Sequence, residues 1–447
     1  MSNHVMGSKP IPKLITSLAG PAIIAQFINI LYNIVDRIYV GHIPEVGSLA
    51  LTGIGVSAPL LLLISAFSAL VAGGAAPLAA MALGRKDKQE AEKIMGTALA
   101  LLILMGIVLM LVSYYFLDDL LILFGASDNS FTFARDYAFI YLIGTIFVML
   151  SLGMNQFISC QGQAKIAMYA VLIGAITNII LDPILIFTFN MGIQGAAIAT
   201  VISQGFSAFY VMRFLLSNQT QIKLRKDYIH LDKSLIRSIV ALGISTFIMQ
   251  ATESAINIVF NTQLLKYGGD LHVGAITIMQ SVMQFVTIPL GGYVQGVQPI
   301  VSFNFGAKKF ERVKETIRIT LISLTSVTIV YYGLIAAVPQ LFAKVFTSDT
   351  ELIAIVRSVL PSFMLGISLF SIQMTAQMFF VGTGQAKTSL FIAMFRKVIL
   401  LIPLAFILPN FYGVRGIYYA EPISDLTSIL VCSFLLYIGL KKVPNYD

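Results

Sequence analysis

The chain has 447 residues, of which 57% are hydrophobic and only 11% charged, and its mean hydropathy is +0.86. A soluble protein of this length carries nearer ~25% charged residues, so the composition excludes a large soluble enzyme and indicates a polytopic membrane protein. The net charge of +8 fits Lys and Arg retained on cytoplasmic loops rather than a nucleic-acid surface.

In chain order, the opening "MSNHVMGSKPIPK" is a polar lead-in. The apolar stretch after it lacks a small-residue cleavage pattern, so it reads as a retained first helix rather than a signal peptide. A helix crosses the hydrocarbon core in about 20 residues. That length predicts twelve spans, near 14–40, 50–82, 94–116, 133–158, 166–189, 193–217, 235–264, 271–304, 313–338, 352–380, 387–409 and 414–439. Several exceed the minimum, which predicts tilt or protrusion into water. The loops alternate in charge. The segments "LGRKDKQEAEK", "IKLRKDYIHLDK" and "GAKKFERVKETIR", with both termini and the other segments on their side, hold 21 of the 29 Lys and Arg. The positive-inside rule then places both termini in the cytoplasm.

The chain repeats itself at half its length. "QGQAK" at 161–165 returns as "TGQAK" at 383–387, "PLAAMALGRKDK" at 77–88 as "PIVSFNFGAKKF" at 299–310, and "MGIQGAAIATVIS" at 191–203 as "YGVRGIYYAEPIS" at 412–424. The offsets are all 221 or 222 residues. The reading is an all-α polytopic membrane protein of two pseudo-symmetric six-helix lobes, residues 1–217 and 235–447, joined by a basic cytoplasmic linker at 218–234. An even number of spans per half gives both halves one orientation, and transporters commonly bind substrate between such halves.

Ionisable residues inside spans are costly and mark function. The acids are Asp36, Asp182, Glu253, Glu421 and Asp425; the bases are Arg37, Arg396 and Lys397. Asn178 and Asp182 stack on one helix face at i, i+4. With Asp36 of the first span and Thr200 of the sixth, they offer two carboxylates, an amide carbonyl and a hydroxyl. These are hard oxygen ligands for a small cation such as Na⁺, or a carboxylate pair for a proton. The bland alternative is that Asp182 satisfies a backbone amide or pairs with Arg37. The second half does not copy the set: Thr200 corresponds to Glu421, and Asp182 to apolar residues near Pro403. Arg396 is expected to pair with Asp425. Glu253, with no base evident at its depth, is expected to be a protonatable or substrate-facing acid.

Amides line the spans: Gln26, Asn29 and Asn33; Asn155 and Gln156; Gln250 and Asn257; Gln280 and Gln284; Gln373 and Gln377. They read either as interhelical glue or as ligand contacts. The 18 Met and 31 Phe suit a lining for varied flat or amphiphilic molecules. Enzymatic motifs are missing: there is no Walker glycine loop, no nucleophile elbow and no His or Cys metal spacing, and His4, His42, His230 and His272 fall near edges or loops. Cys160 and Cys432 give no disulfide framework. No cofactor is expected beyond a coupling ion.

The residues also carry a family resemblance. The chain resembles the multidrug and toxic compound extrusion (MATE) transporters over essentially its full length, through "LYNIVDRIYVGH", a glycine-rich turn before "LGRKDKQEAEK", the doubled "GQAK", "TNIILDPILIF" and "GAAIATVIS". The resemblance implies a first-half cation site at Asp36, Asn178, Asp182 and Thr200, and a first-helix bend at Pro21. Gly243 and Glu253 match a glycine-to-glutamate spacing of the NorM-like branch, but "SIQMTAQMFFVG" lacks that branch's acid in the tenth helix. The chain looks more like the DinF-like and MepA-like bacterial branch. What the resemblance implies is a secondary active exporter of cationic or amphiphilic organic compounds, working by alternating access in exchange for Na⁺ or H⁺. It would act as a monomer in a bacterial inner membrane, with small drug-like substrates and the bilayer as partners and no nucleic acid. Substrate or proton coupling in the second half would involve Glu253, Gln250, Asn257, Gln280 and Gln284, with Asn33 in the first. The alternatives are a lipid-linked oligosaccharide flippase of the same superfamily and a membrane receptor or channel.

Overall fold

The computed structural model describes residues 6–444; the first five and last three residues, with His4 and both chain ends, lie outside it. Among the described residues the chain is helical, without strands. The helices are α1 (Ile11–Gly41), α2 (Gly47–Gly84), α3 (Lys88–Tyr115), α4 (Leu117–Leu123), α5 (Asp128–Ile143), α6 (Thr145–Cys160), α7 (Ala164–Pro183), α8 (Gly192–Leu216), α9 (Lys233–Gly268), α10 (Asp270–Gly306), α11 (Phe310–Ala337), α12 (Pro339–Phe346), α13 (Thr350–Phe363), α14 (Phe370–Gly382), α15 (Ala386–Met394), α16 (Ile402–Ile407), α17 (Pro409–Tyr412) and α18 (Val414–Lys442). Among the described residues eleven continuous helical runs are long and apolar enough to cross a membrane, and α5 with α6 makes a twelfth. Side chains mark several starts. Asp87, Asp232 and Asp349 accept from backbone N–H groups of the first turns of α3, α9 and α13, and Ser127 with Ser130 forms a capping box at α5.

Apolar sequence sets the spans, but four of them are not the straight rods that hydropathy alone suggests; the fifth ends in a π-helical turn at Ile184–Thr188. The fourth span breaks at Gly144, where α5 and α6 meet at 57°. The tenth passes through a 3-10 turn at Leu365–Leu369, and the eleventh through a π-helical segment at Phe395–Leu401. Two short helices, α4 and α12, have 7 and 8 residues, too few to cross. Each follows the third span of its lobe and leaves large apolar side chains outward, Leu123 in α4 and Val345 in α12. Such helices suit the plane of a membrane interface. The glycine-rich stretch read as a turn is corrected: Gly73 and Gly74 lie inside unbroken α2.

Those glycines matter for how the lobes meet. α2 packs on α9 and α1 on α10, the two cross-lobe pairs that the repeat exchanges. At the end of the molecule carrying the basic loops, backbone touches backbone. A Cβ on Gly243 of α9 would lie 1.7 Å from the Leu70 carbonyl oxygen of α2, and one on Gly74 of α2 would lie 2.0 Å from that of Ile239. Only glycine allows this approach. At the same end, Asn304 and Arg312 of the second lobe donate to the Met6 carbonyl, Lys309 to that of Gly7 and Arg312 also to that of Lys9. The linker is stapled to the first lobe. Buried Glu92 accepts from Lys223 N at 3.1 Å and pairs with Arg225 at 2.9 Å. Gln161 Oε1 accepts from Thr220 Oγ1 at 2.8 Å and from Gln221 N at 2.7 Å.

Candidate functional site: paired carboxylates and the lobe cavities

Asp36 interrupts the apolar face of α1, and Asn178 and Asp182 share one face of α7; all three are buried. Asn178 Nδ2 donates to Asp182 Oδ1 at 3.2 Å and reaches Thr200 Oγ1 of α8 at 3.5 Å. Thr200 Oγ1 in turn donates to the Ala196 carbonyl at 3.0 Å. The carboxyls of Asp36 and Asp182 lie against each other across the α1–α7 interface. Thus the four residues singled out in sequence do come together. Asp36 Oδ1, Asp182 Oδ2 and Asn178 Oδ1 are buried with no donor from the protein. Two ionised carboxylates in contact, away from water, repel strongly. The arrangement fits a proton shared between them, or a small hard cation held by their oxygens with the amide and hydroxyl.

Local backbone explains the placement. Pro183 has no N–H to give to helix α7, and the chain continues as a π-helical turn over Ile184–Thr188. Arg37 points outward and makes no ion pair with Asp182 among the described residues, so the bland pairing of those two is not formed. Its neighbour Asp36 takes the inward face because successive helical residues are about 100° apart. Pro21 is buried inside α1, which runs as one helix on both sides of it.

Three tyrosines complete the site, and the sequence reading did not single them out. Tyr137 of α5 lies beside the Thr200 side chain and near Asp36, and Tyr32 of α1 lies near Asp36 as well. Tyr137 and Tyr141 stack at 6.1 Å. Their signal was present: two phenols one turn apart in an otherwise apolar span need a partner for each hydroxyl.

The first-lobe cavity, about 490 Å³, is lined by Asn29, Asn33, Tyr141, Asn155, Asn178 and Thr200 among others. Asn178 and Thr200 form part of its wall, and the two carboxylates lie behind them, outside the lining. A central cavity of about 560 Å³ runs between the lobes past Gln156, Gln250, Gln298 and Gln377. Some amides act as glue: Gln26 donates to Gln295 across the lobe interface at 3.1 Å, and Gln280 to Asn257 at 2.9 Å. Others keep unpartnered buried atoms, as Gln373 and Gln377 do.

A second-lobe cavity of about 500 Å³ is lined by Glu253, Asn257, Gln280, Gln284, Arg396, Lys397, Glu421 and Asp425 among others. Buried Arg396 is held by Asp425 and, at 2.7 Å, by Glu421, and its guanidinium carbon sits 5.0 Å from the Phe370 ring centre. The expected pairing with Asp425 is therefore present, with Glu421 as a second partner. The expectation that Glu253 lacks a base is corrected, because Lys397 pairs with it. Arg396 and Lys397 are consecutive, and a straight α-helix would splay them. The π-helical segment that contains both widens the turn and lets each reach inward, and Ser424 Oγ donates to the Arg396 carbonyl at 2.7 Å.

Against known proteins, the MatE family model matches residues 21–184 and 246–407, one block in each lobe. The multidrug export protein MepA of Staphylococcus haemolyticus is 24% identical over 418 residues, 93% of this chain and 91% of that one. Among solved structures, a MATE in the bent conformation superposes with a TM-score of 0.92 at 21% identity, covering 99% of this chain and 98% of that one. An outward-facing MATE family transporter of the MOP superfamily superposes with a TM-score of 0.90, also at 21% identity and covering 98% of each chain. Those likenesses carry the fold. The two matched blocks, one per six-span lobe, decide the family: the chain belongs to the MatE family, a multi-pass membrane transporter and not an enzyme.

Proposed function

We propose that the protein is a secondary active multidrug exporter that moves cationic or amphiphilic organic compounds out of a bacterial cell in exchange for Na⁺ or H⁺. The observation that carries this is the contact between the Asp36 and Asp182 carboxyls, with buried oxygens that no protein group satisfies, directly behind the wall of the first-lobe cavity. The MepA relative, a multidrug export protein by name, supports the same reading.

The basic loops lie at the cytoplasmic side by the positive-inside rule, with both termini there. Since the lobes meet backbone to backbone at that end, the described state faces outward. In this state an external cation enters among Asp36, Asn178, Asp182 and Thr200. Asn33 and Tyr141 of the cavity wall and the α1 face that includes Pro21 respond, and the drug leaves. The lobes then rock to face the cytoplasm, the cation departs and drug rebinds. Cation and drug are coupled because each favours a different state. One cation moving through ~100 mV supplies ~2.3 kcal/mol, and a tenfold gradient adds ~1.4 kcal/mol. Together these sustain several-hundred-fold expulsion of a neutral compound. One chain contains both lobes and all three cavities, so a monomer completes the cycle. The flippase alternative needs a cationic chamber for pyrophosphate, whereas Arg396 and Lys397 are each held by carboxylates.

The test is drug efflux from sealed vesicles under imposed Na⁺ or H⁺ gradients, applied separately. Asp36→Asn and Asp182→Asn should each abolish gradient-driven efflux while the protein stays folded. Normal efflux by either variant would remove the assigned site.

A further inference from the structure

The first-lobe cluster serves ion coupling and leaves the second-lobe cavity without a role. That cavity holds two bases, Arg396 and Lys397, against three acids, Glu253, Glu421 and Asp425, a formal sum of −1. Arg396 is held between two carboxylates, Glu421 and Asp425. The second pair differs. The Lys397 ammonium is buried, with 8% of its side chain exposed, whereas 56% of the Glu253 side chain is open to the cavity. Lys397 bonds Glu253 through Oε1, and Glu253 stays part of the chamber wall. Lys397 Nζ also donates to the Met249 carbonyl at 2.8 Å, a resting place that does not depend on Glu253. Around this pair the lining is aromatic and thioether, with Phe260, Phe363, Phe370, Met283 and Met374.

We propose that this cavity is an organic-cation subsite in which Glu253 is the anchoring carboxylate and Lys397 a tethered counter-ion that the incoming cation displaces. Its use in export rests on the efflux reading above; its binding chemistry does not. In the absence of ligand, the ammonium neutralises a carboxylate that would otherwise stand alone beside the net negative charge of the Arg396 cluster. When an organic cation arrives, it takes the Glu253 face, and Lys397 falls back on the Met249 carbonyl. Because the entering cation must outcompete a resident ammonium, charge alone is a poor ticket of admission. Cations that also cover aromatic and Met surface gain cation–π and apolar contact and succeed. Small hydrated cations do not. Lys397 is therefore a specificity-determining residue, and the volume of about 500 Å³ lies within the range of small-molecule sites.

The experiment is equilibrium binding of tetraphenylphosphonium to the purified full chain in nanodiscs, with triphenylphosphine oxide as the neutral comparator. Glu253→Gln should weaken the phosphonium about tenfold and Lys397→Met should tighten it about tenfold, with the neutral probe changed by less than about twofold in both. Lys397→Arg keeps the charge, and its planar fork grips a carboxylate more firmly, so it should weaken the phosphonium several-fold. The arginine variant reads the competition even if the methionine variant fails to fold. Weaker or unchanged binding in Lys397→Met, tighter binding in Lys397→Arg, or unchanged binding in Glu253→Gln would overturn the proposal. These arms separate it from the efflux reading. A wild-type chain that exports drug but shows none of these shifts retains the transport function and loses the subsite. A chain that shows the shifts but no gradient-driven export does the reverse.

Discussion

Replacing Gly243 with alanine should push the transporter out of the state closed at its basic end. The added Cβ would sit 1.7 Å from the Leu70 carbonyl oxygen, whereas ordinary contact begins near 3.4 Å, so α2 and α9 must part by the difference, 1.7 Å. Overpacking of a well-fitted interface costs about 1–3 kcal/mol. Applied to one of two states, that is about a 5- to 150-fold shift in population. The neighbouring approach of Gly74 to the Ile239 carbonyl cannot relax separately, since the same two helices carry it. The assay is double electron–electron resonance in proteoliposomes between nitroxides at Lys165→Cys and Lys387→Cys, exposed positions related by the repeat. The native cysteines Cys160 and Cys432 are buried. Gly243→Ala should enlarge the population with the longer distance and slow efflux. Gly333→Ala, whose Cβ meets nothing within 4 Å, should do neither. An unchanged distance distribution together with normal efflux in Gly243→Ala would refute the argument that this contact seals the cytoplasmic side.

Tyr137→Phe removes a buried hydroxyl beside Thr200 and Asp36 without a cavity; the loss of one polar group at the site, about 1 kcal/mol, should weaken coupling-ion binding about fivefold, measured as the ion concentration at half-maximal efflux, and an unchanged value would confine Tyr137 to packing. Arg396→Met leaves Glu421 and Asp425 buried and uncompensated, a cost of about 3–5 kcal/mol, visible as a lower Tm in detergent. Adding Glu421→Gln and Asp425→Asn to that variant should recover most of the loss, and no recovery would place the damage in packing rather than charge. The carboxylate variants Asp36→Asn and Asp182→Asn, and the Lys397 series, complete the set.

Much of this was legible in the linear chain because lipid imposes few solutions. A span needs about 20 apolar residues and satisfies its own backbone, so the span count, the repeat and the two-lobe architecture follow from hydropathy and from the 221- and 222-residue offsets. Asp36, Asn178, Asp182 and Thr200 stood out because polar groups in lipid are expensive, and i, i+4 spacing fixes a shared face. Side-chain partnership across helices was another matter. It depends on rotation and on local breaks that a 3.6-residue ruler does not register. The π-helical segment at Phe395–Leu401 turns Lys397 toward Glu253, which sequence depth alone left without a base. Likewise Tyr137 of α5 comes to lie beside Thr200 of α8, a pairing that their separate positions in the chain do not show. A stretch that reads as a flexible turn, Gly73 and Gly74, is the rigid surface on which the lobes close, because glycine serves close backbone approach as readily as it serves a turn. The sequence by itself determined what crosses the membrane and which charges are too costly to be accidental. Only the tertiary structure decided which of those charges face each other, since that is a matter of helix rotation and register, and neither leaves a period in the chain.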